Sequence, residues 1–390
     1  MQSLKNRLRI PPQSLVADLL LSLLATAGLY YVNIMPALVE GLKTGLNFTD
    51  AQAGMAGSAN VYGAAVGAFC ITLVLTRIRW RPTAFVLLLL LIGIDLSSMV
   101  VTSPHTMIGI RAMHGIAGGM LVGIAFSVIA RTGRPERVFG MLLILQNGLG
   151  GLGVMLLTQW VPHFGTPILF MALIAISATT LLLLPLLDDY PRRETVDTGG
   201  ASSKSTQWLP LILSMFGVFL FQFANMLLFA YIIGLAKHYS LNTDHAADIV
   251  GISAWIGSLG SLLVIIIATR PGRINILVTG LLLTALGMWM FHASGTMLWY
   301  AIANIATAIT WAFVIPYLLG MCANFDATGR AAALGGFASK MGLATGPLIG
   351  GMMASDDHYA LMINLATVAV IGCLLITLYP ARLLDRAVNV

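Results

Sequence analysis

A chain of 390 residues that is 58% hydrophobic and only 9% charged, with mean hydropathy +0.89, is not a water-soluble globular protein, which carries roughly 25% charge; its solvent has to be lipid. The net charge of +6 is dispersed in short basic clusters between apolar runs, which excludes a nucleic-acid-binding surface. The three cysteines, Cys70, Cys322 and Cys373, fall in or near apolar segments and fit neither a disulfide framework nor a zinc site.

A helix needs about 20 mostly apolar residues to cross the hydrocarbon core. That ruler predicts about twelve spans, at 15–42, 52–75, 82–102, 105–130, 137–160, 165–187, 209–236, 246–269, 274–292, 296–322, 330–354 and 360–380. The runs are too long and too uniformly apolar for barrel strands. The basic start has no small-residue cleavage site behind it, so the first apolar stretch reads as a span and not as a signal peptide.

Polar residues inside these spans are the candidates for function. Span one carries Tyr30, Tyr31 and Asn33, with Asp18 and Glu40 near its ends, and span two carries Asn60 and Tyr62. Asp95 lies about seven residues from one end of span three, and Arg111 about six from the same side of span four. At 1.5 Å per residue they share a depth. The pair predicts either a structural ion pair or a protonatable carboxylate next to a cavity, governed by the nearness of Arg111. His114, one turn on from Arg111, can titrate near neutrality or serve as a hydrogen-bonded buried histidine.

Span five carries Gln146 and Asn147. The polar segment 188–208 reads as a flexible linker between two sets of six spans, 1–187 and 209–390. Gln222 and Asn225 follow in span seven, Trp255 in span eight, and Asn304, Trp311 and Tyr317 in span ten. Lys340 lies ten residues into span eleven, too deep to reach the interface easily, with no acidic residue at matching depth nearby. An unpaired ammonium in the bilayer is costly, so Lys340 has to meet water, an anion or helix carbonyls.

Lys5, Arg7, Arg9, Arg77, Arg79, Arg81, Arg131, Arg134, Arg137, Arg192, Arg193, Lys204, Arg270, Arg273, Arg330, Arg382 and Arg386 all fall on one face, and only Lys43 and Lys237 on the other. Cytoplasmic loops hold the excess of Lys and Arg, so both termini are expected in the cytoplasm, with a bacterial inner membrane as the setting. A shift of 193 residues superposes Tyr62 on Trp255, Gly67 on Gly260, Thr76 on Thr269, Arg77 on Arg270, Arg137 on Arg330 and Asn147 on Lys340. These matches suggest an internal duplication.

Three local patterns accompany the duplication. They are Arg111-Ala-Met-His-Gly115-Ile-Ala-Gly118-Gly119 in span four, the basic turns Thr76-Arg-Ile-Arg-Trp-Arg81 and Thr269-Arg-Pro-Gly-Arg273, and Gly342-x-x-x-Gly346-Pro347-x-x-Gly350-Gly351 in span eleven. With these residues the chain resembles the major facilitator superfamily over nearly its whole length. Family antiporters place such a Gly-Pro signature in span five; here span five reads Gly148-Leu-Gly150-Gly151-Leu-Gly153 without proline. The resemblance implies an all-α membrane protein of two pseudo-symmetric six-helix bundles, a monomer as working unit, and a cavity walled by spans one, four, seven and ten. That favours Tyr31, Asn33, Gln222, Asn225, Asn304 and Trp311 as wall residues. It also implies a part for Arg111 in substrate binding or proton coupling.

The expectation is a secondary active transporter of a small organic solute. No nucleotide-binding loop is present in the sequence, so an ion gradient or exchange has to drive uphill movement. Central cations favour an anionic solute held by Lys340 and Arg111, with Asn147 opposite Lys340 and Asp95 and His114 as proton-coupling groups. Proton-driven export of lipophilic drugs is the alternative, and a membrane enzyme or a non-transporting sensor the remote ones. No zinc-type His-Glu-x-x-His and no nucleophile elbow occurs, so neither a metal nor a cofactor is expected.

Overall fold

The structure is a computed structural model that describes residues 10–388, except 13, 76, 133, 191–206, 268 and 326–329. The basic residues Lys5, Arg7, Arg9, Arg192, Arg193 and Lys204, Thr76, and most of the predicted linker lie outside the described residues. Fourteen α-helices follow in chain order among those described: α1 Leu15–Asn33, α2 Met35–Leu46, α3 Asp50–Val74, α4 Trp80–Ser98, α5 Pro104–Ile129, α6 Pro135–Phe164 and α7 Pro167–Leu183 in the first half. The second half has α8 Trp208–Phe229, α9 Ile232–His238, α10 Thr243–Ile267, α11 Arg273–Trp289, α12 Met297–Asn324, α13 Arg330–Ser355 and α14 Tyr359–Val388.

Local chemistry starts these helices where the chain re-enters the bilayer. Ser14 caps α1 by accepting from the Ala17 amide, and Thr49 with Gln52 forms a reciprocal capping box on α3. Proline stands in the first turn of α5, α6 and α7, where a missing N–H costs nothing. Asp385 accepts from the Arg273 and Ile274 amides at the start of α11 (2.8 and 3.0 Å).

One expectation needs correction. Spans one and seven are not single helices: one breaks at Ile34 between α1 and α2, the other at residues 230–231 between α8 and α9. Eleven helices among the described residues are long and apolar enough to cross a membrane, and α13 is not one of them. It is long enough at 26 residues, but it is rich in Gly, Ala and Ser and carries Lys340. It packs against α8 on one side and α3 on the other, so protein covers much of the surface that lipid would meet.

The duplication is visible in the helices themselves. Leu15, Asp50, Trp80 and Pro104 open α1, α3, α4 and α5; 193 residues on, Trp208, Thr243, Arg273 and Met297 open α8, α10, α11 and α12. Packing repeats too. In the first half α1 pairs with α6, α3 with α5 and α4 with α7; in the second, α8 pairs with α13, α10 with α12 and α11 with α14. A Cβ at Gly67 would overlap the Ile116 carbonyl oxygen, and one at Gly260 the Ile309 carbonyl oxygen, again 193 residues on. Two backbones approach that closely only where a side chain is missing.

The halves meet along two seams, α3 against α13 and α6 against α10. Call the side that carries residues 15 and 388 the terminal side and the opposite one the far side. Among the described residues, the polar contacts between halves lie from the membrane middle to the far side. Lys237 pairs with Glu40, the Ala51 amide donates to Ser355 Oγ (3.1 Å), and Tyr231 Oη donates to the Asp50 carbonyl (3.1 Å). Gln159 donates to Asp248 (2.9 Å), and Trp255 Nε1 to the Gly148 carbonyl (3.2 Å). The innermost are Tyr62 with Thr345 (2.8 Å) and Asn147 with Ser258 (3.0 Å).

Candidate functional site

The first half buries a charged cluster. Arg111 and Asp95 are both fully buried, and Arg111 Nη1 donates to Asp95 Oδ1 at 2.8 Å while Nη2 donates to Ser98 Oγ. His114 Nε2 lies 3.3 Å from Asp95 Oδ2, and its Nδ1 lies 2.8 Å from the Asn60 amide nitrogen. The Arg111 guanidinium also faces the rings of Phe170 (5.1 Å) and Tyr31 (5.8 Å). Two charges in a low-dielectric interior persist only when they pair and hydrogen-bond. Glycines set the geometry: a Cβ at Gly115 would overlap the Asn60 carbonyl oxygen and one at Gly119 that of Ala64, which draws α5 onto α3.

Near the interface of the halves runs a belt of polar groups, with Asn33, Asn147 and Asn225 half-buried and Gln222 and Asn304 buried. Asn33 Nδ2 reaches the Gln146 carbonyl (3.4 Å), and Asn147 Nδ2 donates to Ser258 Oγ across the seam. Gln222 ties three helices of the second half together: its Nε2 donates to Ser339 Oγ on α13, and its Oε1 accepts from Trp311 Nε1 on α12, both at 2.8 Å. Asn225 and Asn304 turn back to their own helices, donating to the carbonyls of Phe221 and Tyr300 (2.8 Å each).

Lys340 follows Ser339 directly. It is half-buried and forms no hydrogen bond or ion pair among the described residues. Pro347, two turns further along the same side of α13, packs toward Gly54 and Gly57 of α3, so the Lys340 side of the helix is the side turned to the other half. Its counterpart Asn147 finds Ser258; the residue of α3 that corresponds to Ser258 is Ala65, which has no polar side chain. The asymmetry explains why this ammonium has no partner among the described residues.

A family model described as the Major Facilitator Superfamily matches residues 19–216. The chain belongs to the major facilitator superfamily. The protein named "Putative niacin/nicotinamide transporter NiaP" of Bacillus subtilis (strain 168) is 25% identical to it, over 91% of this chain and 94% of that protein. Two crystal structures share the fold. A mutant of the nucleoside transporter NupG superposes with a TM-score of 0.72 at 13% identity, covering 92% of this chain and 99% of its own. A D-xylose-proton symporter gives 0.70 at 15% identity, covering 92% and 96%. The protein is therefore a membrane transporter and not an enzyme.

The sequence candidates fall into separate places. Arg111, Asp95, His114 and Tyr31 come together in the interior of the first half; Gln222 and Trp311 meet at Ser339, the residue before Lys340, in the second; Asn33 and Asn147 lie along the α6 side of the interface. Arg111, fully buried and committed to Asp95, is not brought to Lys340. Sequence reasoning noticed Asn60 without giving it a role, and it overlooked Ser98, Ser258 and Ser339. Ser339 was signalled only by standing next to Lys340. The far-side set, Glu40 with Lys43 (3.6 Å) and Lys237, and Lys43 with Asp50, collects the two basic residues assigned to that face.

Proposed function

We propose that this transporter moves a small organic anion by alternating access, with Lys340 as the group that receives the anionic charge. The carrying observation is that Lys340 is a half-buried cation at membrane depth with no protein partner among the described residues, placed just to the terminal side of the innermost seam contact between Tyr62 and Thr345. An ammonium in such a place gains a charge-assisted contact from a carboxylate, worth roughly 1.5–3 kcal/mol. Half-buried Trp311 is tied through Gln222 to Ser339, the residue before Lys340, and supplies the nearest aromatic ring that the hydrogen bonds connect to this part of α13. Of the two compounds in the name of the Bacillus subtilis relative, niacin is an aromatic carboxylate, which supports the same chemical class, and nicotinamide is its neutral amide, which the solute panel has to include.

The basic residues lie on the terminal side, which we assign to the cytoplasm of a bacterial inner membrane. The far-side seal then makes this an inward-open arrangement, with the segment 188–208 joining two rocking halves. We assign the coupling proton to the Asp95–His114 pair, one proton accompanying each anion. The buried, paired state of Asp95 disfavours proton-driven drug export through a carboxylate exposed to the solute.

The test is thermal unfolding of purified protein against a panel of carboxylates, amides and lipophilic cations, for wild type and Lys340→Gln. A ligand that binds only the folded state raises Tm. The expected result is stabilisation by particular aromatic carboxylates that Lys340→Gln abolishes, with loss of vesicle uptake of the same compound. Stabilisation that persists in Lys340→Gln overturns the assignment.

A further inference from the structure

Asn60 stands on α3, buried against the charged cluster, and its amide nitrogen has two hydrogens to place. That nitrogen lies 3.2 Å from the Arg111 carbonyl oxygen and 2.8 Å from His114 Nδ1. A backbone carbonyl can only accept, so the nitrogen end of the amide has to point toward it. Turning the amide over would set oxygen against oxygen. The second hydrogen then points at His114 Nδ1, which must accept, and a ring nitrogen that accepts carries no proton. The remaining proton of a neutral imidazole is thereby on Nε2, the nitrogen that lies within ion-pair distance of Asp95 Oδ2 (3.3 Å) without a hydrogen bond to it. The other groups around the ring are Asp95 from α4, Arg111 from its own helix α5 and Tyr31 from α1, whose ring lies 5.8 Å away. The cluster then sums to zero: one carboxylate, one guanidinium and one neutral imidazole.

We infer that Asn60 is a positioning residue for proton coupling, holding His114 in its Nε2–H form and so fixing the far-closed conformation as the proton-released one. This rests on the assignment of the coupling proton to Asp95 and His114. The step balances simply. In the loaded form the imidazolium carries N–H on both nitrogens, with Nε2–H on Asp95 and the Asn60 amide turned away from Nδ1. Release removes the Nδ1 proton to water, and Asn60 then donates to the lone pair left behind. A proton cannot return while Asn60 is in place, because N–H would face N–H. Gly115 against the Asn60 carbonyl holds the backbones of α3 and α5 together, so the switch lies in the Asn60 amide turning and not in its helix moving.

Nitrogen-15 NMR of ¹⁵N-histidine-labelled protein tests this, with the His114 signals assigned by their loss in His114→Gln. The expected wild-type spectrum at pH 7 shows an unprotonated Nδ1 and a protonated Nε2. In Asn60→Asp the replacement can only accept at Nδ1, and both nitrogens are expected to become protonated. In Asn60→Leu, which adds no buried charge, vesicle uptake is expected to lose its pH dependence while carboxylate stabilisation through Lys340 stays. An imidazolium or an Nδ1–H tautomer in the wild type overturns the inference. So does a pH profile of uptake unchanged in Asn60→Leu. Loss of carboxylate stabilisation in wild type would instead strike the solute assignment and leave the histidine spectrum untouched.

Discussion

At the shift of 193 residues that brings the helix starts into register, Asp95 falls on Met288, Arg111 on Asn304, His114 on Thr307 and Asn60 on Ser253. The two halves thus share a skeleton, down to the close approaches at Gly67 and Gly260, and differ in what fills it. The first half encloses a paired charged cluster, in which Asp95 Oδ2 and Arg111 Nε are left without a hydrogen bond. The second has neutral groups at the same places and keeps its one deep cation, Lys340, at the surface between halves. Helix packing here is set by small residues at crossings and tolerates either content. Under the proposed function the charges give the halves separate tasks, and they can be exchanged as a test.

The largest effect is expected from removing one partner of the buried pair. Arg111→Ala leaves Asp95 charged and uncompensated, which costs about 3–5 kcal/mol. Asn304→Ala, at the equivalent place, loses a single hydrogen bond to its own helix, about 1 kcal/mol. Moving the second-half residues into the first, as Asp95→Met with Arg111→Asn, removes both charges together and is expected to recover most of the Tm lost in Arg111→Ala while abolishing pH-dependent uptake. The measurement is Tm in one detergent for all three variants. Equal losses for Arg111→Ala and Asn304→Ala would break the comparison.

Much of this architecture was legible in the chain. Hydropathy placed the spans, and the shared depth of Asp95 and Arg111 anticipated their contact. The absence of any acid near the depth of Lys340 anticipated its isolation. The breaks in spans one and seven were not legible. Pro36 stands near the first, but nothing at residues 230–231 signals the second. There Tyr231 reaches across the seam to the Asp50 carbonyl and to the Pro347 carbonyl within its own half (2.9 Å), so the break follows tertiary contacts and not local preference. The partnership of Asn60 with His114 joins residues 54 apart on different helices, and no spacing within one helix reports it.

A smaller effect is expected at the far-side seal, where the first half again holds most of the charge. Glu40, Lys43 and Asp50 correspond to Ile233, Ala236 and Thr243, and Lys237 is the second half's contribution. Lys237→Glu sets two acids together and favours opening of the far side. Solvent at the exposed Lys237 end screens its pair with buried Glu40, so the pair is worth about 1 kcal/mol, roughly a five-fold change in population. Ser58→Cys, buried on α3, reports the opening as faster labelling by a membrane-impermeant thiol reagent. Glu40→Lys combined with Lys237→Glu restores an opposite-charge pair and is expected to return the rate to that of Ser58→Cys alone. A rate indifferent to both changes would show that the seal rests on the glycine seams instead.

The smallest effect lies at the terminal side of the first half. Tyr190 is buried against Trp80, with ring centroids 6.5 Å apart, and Trp80 Nε1 donates to the Asp189 carbonyl (2.8 Å). Burial, reinforced by Asp18 and Asp188, pushes the Tyr190 phenol up from its usual 10 to about 12. A group raised in the folded state contributes stability that is whole below its unfolded value, about pH 10, and is lost as pH climbs through about 12. The equivalent residue in the second half is Leu383, which cannot titrate. Wild type is therefore expected to lose Tm between pH 10 and 12 by more than Tyr190→Phe does, with the two alike below pH 9. Identical alkaline losses would mean that the decline comes from groups common to both halves, and the corner around Trp80 would no longer distinguish them.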